Sequence, residues 1–141
     1  MQESETIFTE QSTITTAVVH LFLLGCFNVR DKDGNDITSN FTPRLKHLLI
    51  LLILYTEKNA QGILASKNTE ILWPEKRETA ARNNRNVNLR KLRVLLESIG
   101  DMEVMIENNF LRIKWGTGVF CDYHTLITCT NNSSRRKVKN C

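Results

Sequence analysis

Residues 76–93 read KRETAARNNRNVNLRKLR. Seven of them are Lys or Arg, four are Asn, and Glu78 is the lone acid. Arg and Asn are the side chains that grip a base edge with two hydrogen bonds at once, Arg on guanine and Asn on adenine. Residues 94–107 reverse the balance, with four acids (Glu97, Asp101, Glu103 and Glu107) and no base. The net charge of +4 therefore conceals a separation. Positive charge gathers in one stretch, the electrostatic footprint expected for a phosphate backbone.

Periodicity predicts that this stretch is helical. Leu89, Leu92, Leu96 and Ile99, joined by Leu95, recur at three- and four-residue steps and form one apolar stripe of a helix over 78–99. Gly100 suits the position just past its end. On a wheel of about 100° per residue, Asn83, Asn86, Val87, Arg90 and Arg93 point away from the stripe, with Arg82 and Asn86 toward its flank. Residues 78–88 hold almost no large apolar side chain, so that half of the helix should stand out from the core.

Upstream, residues 18–24 form a β-rich run that 26–30 continue. Asp31-Lys32-Asp33-Gly34-Asn35 has turn chemistry, and 36–38 would return as a short strand. Thr42 is placed to cap a helix that has Pro43 at its first position. Leu45, Leu48, Leu49, Leu52 and Ile53 keep a helical period there; Ile50, Leu51 and Leu54 make it apolar on most sides, so it should be central. Residues 59–62 end it. Ile63-Leu64 reads as a short strand and 65–73 as a second short helix, with Ser66 as cap, Ile71, Leu72 and Trp73 as anchors, and Pro74 as stop. Downstream, 103–106 and 110–115 flank Glu107-Asn108-Asn109, a tight turn between strands. Residues 1–13 read as a polar tail or linker, 14–130 as one folded domain, and 131–141 as a basic disordered tail. The expected fold is α+β: an N-terminal antiparallel sheet, three helices and a C-terminal β-hairpin, in the order of a helix-turn-helix followed by a wing.

Composition removes several classes. A chain of 141 residues, 41% hydrophobic and 24% charged, is ordinary for a single globular core. The cysteines Cys26, Cys121, Cys129 and Cys141 have no CxxC spacing, and the three histidines complete no zinc pattern, so no metal and no cofactor is expected. Cys26 and Cys121 read as small apolar fillers in strands, which suits a reducing, cytoplasmic setting. The triplets Asn40-Phe41-Thr42 and Asn132-Ser133-Ser134 match the glycosylation acceptor, a pattern common by chance. The first residues are too polar for a secretory signal. The most apolar run, 48–55, is far short of the roughly 20 residues that cross a bilayer. An enzyme is not expected. Asp122 and His124 would share a strand face, but no nucleophile, Gly-rich elbow or phosphate loop accompanies them. Glu57, Glu70 and Glu75 have no spacing for a metal or a carboxylate pair.

The ordered set LGCFNVRDKDG, FTPRLKHLLILLILY, ILWPEK, ARNNRNVNLRKLRVLLE, IENNFLRIKW and CDYHTL resembles the winged-helix DNA-binding domain of bacterial transcription regulators of the OmpR/PhoB type, closest to the SARP-like subgroup. The likeness spans roughly residues 19–127. Leu72-Trp73 matches the pair that ends the family's second helix; Leu92-Arg93 and Leu96 match its recognition helix. No phosphoacceptor domain is present in the chain, and Asn109-Phe110 stands where the wing often carries Gly-Tyr. The resemblance implies sequence-specific binding of double-stranded DNA by an effector domain. It also implies contact with RNA polymerase, dimeric binding on DNA, and fusion to a sensory or regulatory domain.

Two-helix units place the N-terminal half of the recognition helix in the major groove. Arg82, Asn83, Asn86 and Arg90 are the candidates for base edges, with Val87 against a thymine methyl. Lys76, Arg77, Lys91 and Arg93 are placed for phosphates; Arg85, nearer the stripe, is a weaker candidate that can snorkel. Arg93 has a plainer role open to it, pairing with Glu97 at i+4. In the wing, Asn108, Asn109, Arg112 and Lys114 are candidates, and Arg112 and Lys114 could equally be ordinary exposed strand charges. Trp73 and Trp115 read as core. The competing reading is a winged helix that binds protein without DNA. Such a surface needs aromatic or Leu anchors on the third helix, where Val87 and Val94 are the only apolar residues offered.

Overall fold

The structure is a computed structural model that describes residues 18–140, and for 132–140 the backbone only. The expected tail at 1–13 lies outside the described residues. The chain is mixed α+β, with two three-stranded sheets and four α-helices among the described residues. It divides into two compact units: Ser39–Thr117, and the residues on either side of it.

In Ser39–Thr117 the order is α1 (Pro43–Lys58), β3 (Ile63–Leu64), α2 (Ala65–Leu72), α3 (Glu78–Ile99), β4 (Met102–Glu107) and β5 (Phe110–Trp115). Helix α1 starts where Thr42-Pro43 implied. The Thr42 hydroxyl accepts a hydrogen bond from the Leu45 N–H, and Pro43 occupies a position whose N–H would have no partner. Leu45, Leu48, Leu49, Leu52 and Ile53 are buried, each stabilising by about 2 kcal/mol through the apolar surface removed from water. Thr56 ties this helix to the sheet: its hydroxyl donates to the Leu52 carbonyl and accepts from the Ile113 N–H at 2.9 Å.

The sheet of this unit has the order β3-β5-β4, antiparallel throughout. Gly62 leads into it at φ +90°, and a Cβ there would collide with the Leu111 carbonyl, so no other residue fits. The turn between β4 and β5 is Asn108-Asn109, with φ of 52° and 67°. Both residues are left-handed, which matches a type I′ turn and the twist of the flanking strands.

Two expectations for α2 change. Ser66 does not cap it. Leu64 is the N-cap residue and offers no side-chain bond, while the Ala65 N–H is satisfied by the Asn109 carbonyl at 2.8 Å. Of the three anchors, Leu72 and Trp73 are buried but Ile71 is exposed, because it falls on the outer side of this two-turn helix.

The other unit holds β1 (Val19–Phe22), β2 (Asn28–Arg30), β6 (Val119–Cys121) and α4 (Asp122–Asn140). Its sheet is mixed, not antiparallel as expected: the order is β2-β1-β6, and β1 runs parallel to β6. Residues 26–30 do not continue β1 but turn back on it as β2. The Asp31–Asn35 turn forms, yet only an isolated Arg30–Asp36 bridge follows it rather than a return strand. The reason is local. The Asp31 carboxylate accepts from the Asp33 and Asn35 N–H groups, and Asp36 accepts from Thr38, so side chains take donors a strand would have used. Cys121 is buried in its strand, whereas Cys26 is exposed in the β1–β2 turn.

A fourth helix begins at Asp122, holds His124 in its first turn, and runs over most of the stretch expected to be a disordered tail. No Gly or Pro lies between Asp122 and Asn140 to interrupt the backbone ladder. Residues two apart on a helix do not share a face, unlike residues two apart on a strand. Asp122 instead closes the unit, accepting from the Leu23 N–H at 2.8 Å and the Leu24 N–H at 3.1 Å. None of the helices described is long and apolar enough to cross a membrane.

Candidate nucleic-acid interface

Helix α3 divides lengthwise and end to end. Leu89, Leu92, Leu96 and Ile99 are buried, joined at the other end by Ala81, whose small side chain lets the first turns approach the core. Leu95, expected in the stripe, is half-buried at its margin. The residues assigned to base edges, Arg82, Asn83, Asn86, Val87 and Arg90, are all exposed. The helix begins at Arg77 with no side-chain cap, so its first N–H groups and their partial positive charge face outward beside Lys76 and Arg77.

The four asparagines separate into two pairs. Asn84 and Asn88 turn their amides back onto the helix and donate to the carbonyls of Ala80 and Asn84 at 2.9 and 2.8 Å. Asn83 and Asn86 make no such bond among the described residues, and their amides are open to a partner. Arg82 pairs with Glu78 one turn before it, at 3.4 Å and in full exposure. Such an exposed pair is worth well under about 1 kcal/mol and yields easily to a phosphate or a base.

Arg85 behaves differently from the other cations. Its guanidinium donates to the Thr69 hydroxyl at 2.9 Å and to the Ala65 carbonyl at 3.4 Å, bracing α3 against α2. Burial pushes its pKa down, with the nearby positive charge of Arg82 adding to the effect; a guanidinium keeps its charge at neutral pH even so. Arg85 is thus held as a brace, not presented outward like the other cations. Lys76, Arg77, Lys91 and Arg93 are exposed, and Arg93 forms no pair with Glu97 among the described residues.

The hairpin turn is tied to its neighbours on one side. Asn108 and Asn109 are exposed at the turn, but the Asn109 carbonyl is bound by α2, and Leu64 of β3 pairs with Phe110 beside it. Arg112 and Lys114 share the face of β5 opposite Leu111 and Ile113, as their spacing implied. Arg112 is half-buried, and Lys114 lies 3.9 Å from Glu103 on the adjacent strand, an exposed pair as weak as Arg82–Glu78.

Two features are not drawn from the sequence. Arg44 of α1 stacks over the Trp73 ring at 5.3 Å and donates to the Leu72 carbonyl, locking the end of α2 to α1. A groove of about 390 Å³ lies between α3 and β4, floored by Leu89, Val94 and Ile106 and rimmed by Asn86, Arg90 and Arg93. Two of its apolar members are exposed, Val94 at 61% and Ile106 at 49%. The sequence signal for it was Val94, one heptad after Val87 on the outward face. Among the described residues, no group of His, Cys, Asp and Glu could hold a metal ion.

Comparison with known protein families, curated proteins and solved structures finds no match.

Proposed function

We propose that the chain binds double-stranded DNA with sequence preference, as the cytoplasmic effector domain of a bacterial transcription regulator. On this reading Ser39–Thr117 is a winged helix. Helix α3 lies in the major groove, and the β4–β5 hairpin is a short wing. The observation that carries the proposal is the sidedness of α3: one face supplies the buried stripe, and the opposite face offers Arg82, Asn83, Asn86 and Arg90 to solvent in base-edge chemistry. The exposed cations Lys76, Arg77, Lys91 and Arg93 surround that face and suit phosphates.

The exposed Val94 and Ile106 favour a second reading, a protein-binding groove on the same unit. The two readings part on salt. With those four cations and one from the hairpin making about five phosphate contacts, the logarithm of affinity for random-sequence duplex DNA should fall against the logarithm of salt with a slope of roughly −4 to −5. Affinity that ignores salt, or no binding at low salt, supports the protein-binding reading instead.

A further inference from the structure

Val87 and Val94 are at odds with the rest of the outward face of α3. They are 44% and 61% exposed, on a helix whose other outward residues are polar. Valine is a poorer helix former than Ala, Lys or Gln, and the unit leaves both side chains partly in solvent. A face meant only for water gains nothing from them. A face meant for a protein partner wants larger anchors than two valines set among Asn and Arg.

Their spacing is informative. Seven residues bring a helix back to nearly the same direction, about 10.5 Å further along. That is about three base-pair steps of roughly 3.4 Å each. Arg90 lies between them on the same sector, and Asn83 stands one turn before Val87. In the major groove the only apolar group on a base pair is the C5 methyl of thymine.

Building on the DNA-binding reading, we propose that Val87 and Val94 select two C5-methyl groups about three base pairs apart, with Arg90 reading a guanine between them. The exposed valines act as a ruler, and the preferred site is a thymine–guanine–thymine arrangement at that spacing, on either strand.

The test uses the full chain. Duplexes selected from a random pool are resynthesised with deoxyuridine at each thymine in turn, which removes one methyl and leaves the hydrogen-bonding edge intact. Two thymines about three base pairs apart should each weaken binding by about fourfold when replaced, the worth of one buried methyl. Val87→Ala should abolish the sensitivity at one position and Val94→Ala at the other. Selective binding that tolerates uracil at every thymine, or sensitive thymines at a different spacing, overturns the ruler and leaves DNA binding standing. Failure to bind any duplex in a salt-dependent way removes both. The uracil series uses the unaltered protein, so its outcome does not depend on how either variant folds.

Discussion

Helices α1 and α3 are the two long helices of the same unit, 16 and 22 residues, and they use their length in opposite ways. Helix α1 buries Leu45, Leu48, Leu49, Leu52 and Ile53 over its first three turns and carries a hydroxyl cap at its start. Helix α3 concentrates its large buried residues in its second half and begins without a cap. A helix that serves mainly the core is apolar on most sides and capped at its start. A helix that also serves a partner leaves one end open and one face polar, and it relies on its anchored half, and on Arg85 bound to α2, for its position. Stability and recognition should therefore separate along α3.

The largest effect should come from the anchored half. Leu92 is fully buried, and Leu92→Ala should cost roughly 2–5 kcal/mol of unfolding free energy by leaving a cavity, measured by chemical denaturation. If the cost is below about 1 kcal/mol, the division of α3 into holding and reading faces is wrong. Gly62→Ala should cost roughly 3 kcal/mol by the same measurement, from its positive φ and the collision with Leu111. Arg85→Ala should cost roughly 1–3 kcal/mol of stability by removing the charged hydrogen bonds that tie α3 to the Thr69 hydroxyl and the Ala65 carbonyl. A loss of DNA affinity with unchanged melting would return Arg85 to the phosphate contacts. The smallest effect belongs to Lys76, exposed before the helix. Lys76→Ala should reduce the salt slope by about one and weaken all duplexes alike.

The two units also differ in how far the sequence disclosed them. In Ser39–Thr117 the signals were local. Thr42-Pro43 marked one helix start, Gly100 one helix end, and Asn108-Asn109 the hairpin turn, and each lies where its own chemistry requires. The outward face of α3 followed from periodicity alone. In the other unit the deciding contacts are remote. His20 pairs with Phe120 across a parallel register, and the Asp122 carboxylate serves N–H groups 98 and 99 residues earlier. No local pattern encodes such pairings, so β6 and α4 were missed. The site was legible as a face but not as individual side chains: Asn84 and Asn88 fold back on their own helix, and Arg85 found a partner on α2 that only the packing supplies.

The central claim is that the outward face of α3 reads duplex DNA while its buried face holds the helix in place. The most direct measurement is binding of the parent, Asn86→Ala and Arg90→Ala to a selected duplex and to its scrambled counterpart at one salt concentration, with a thermal melt for each protein. Both side chains are exposed, so the melts should coincide with the parent's. On the selected duplex each variant should lose about 1–3 kcal/mol, and the gap between selected and scrambled DNA should narrow. If both variants bind the two duplexes as the parent does, the outward face of α3 is not the reading surface and the claim fails.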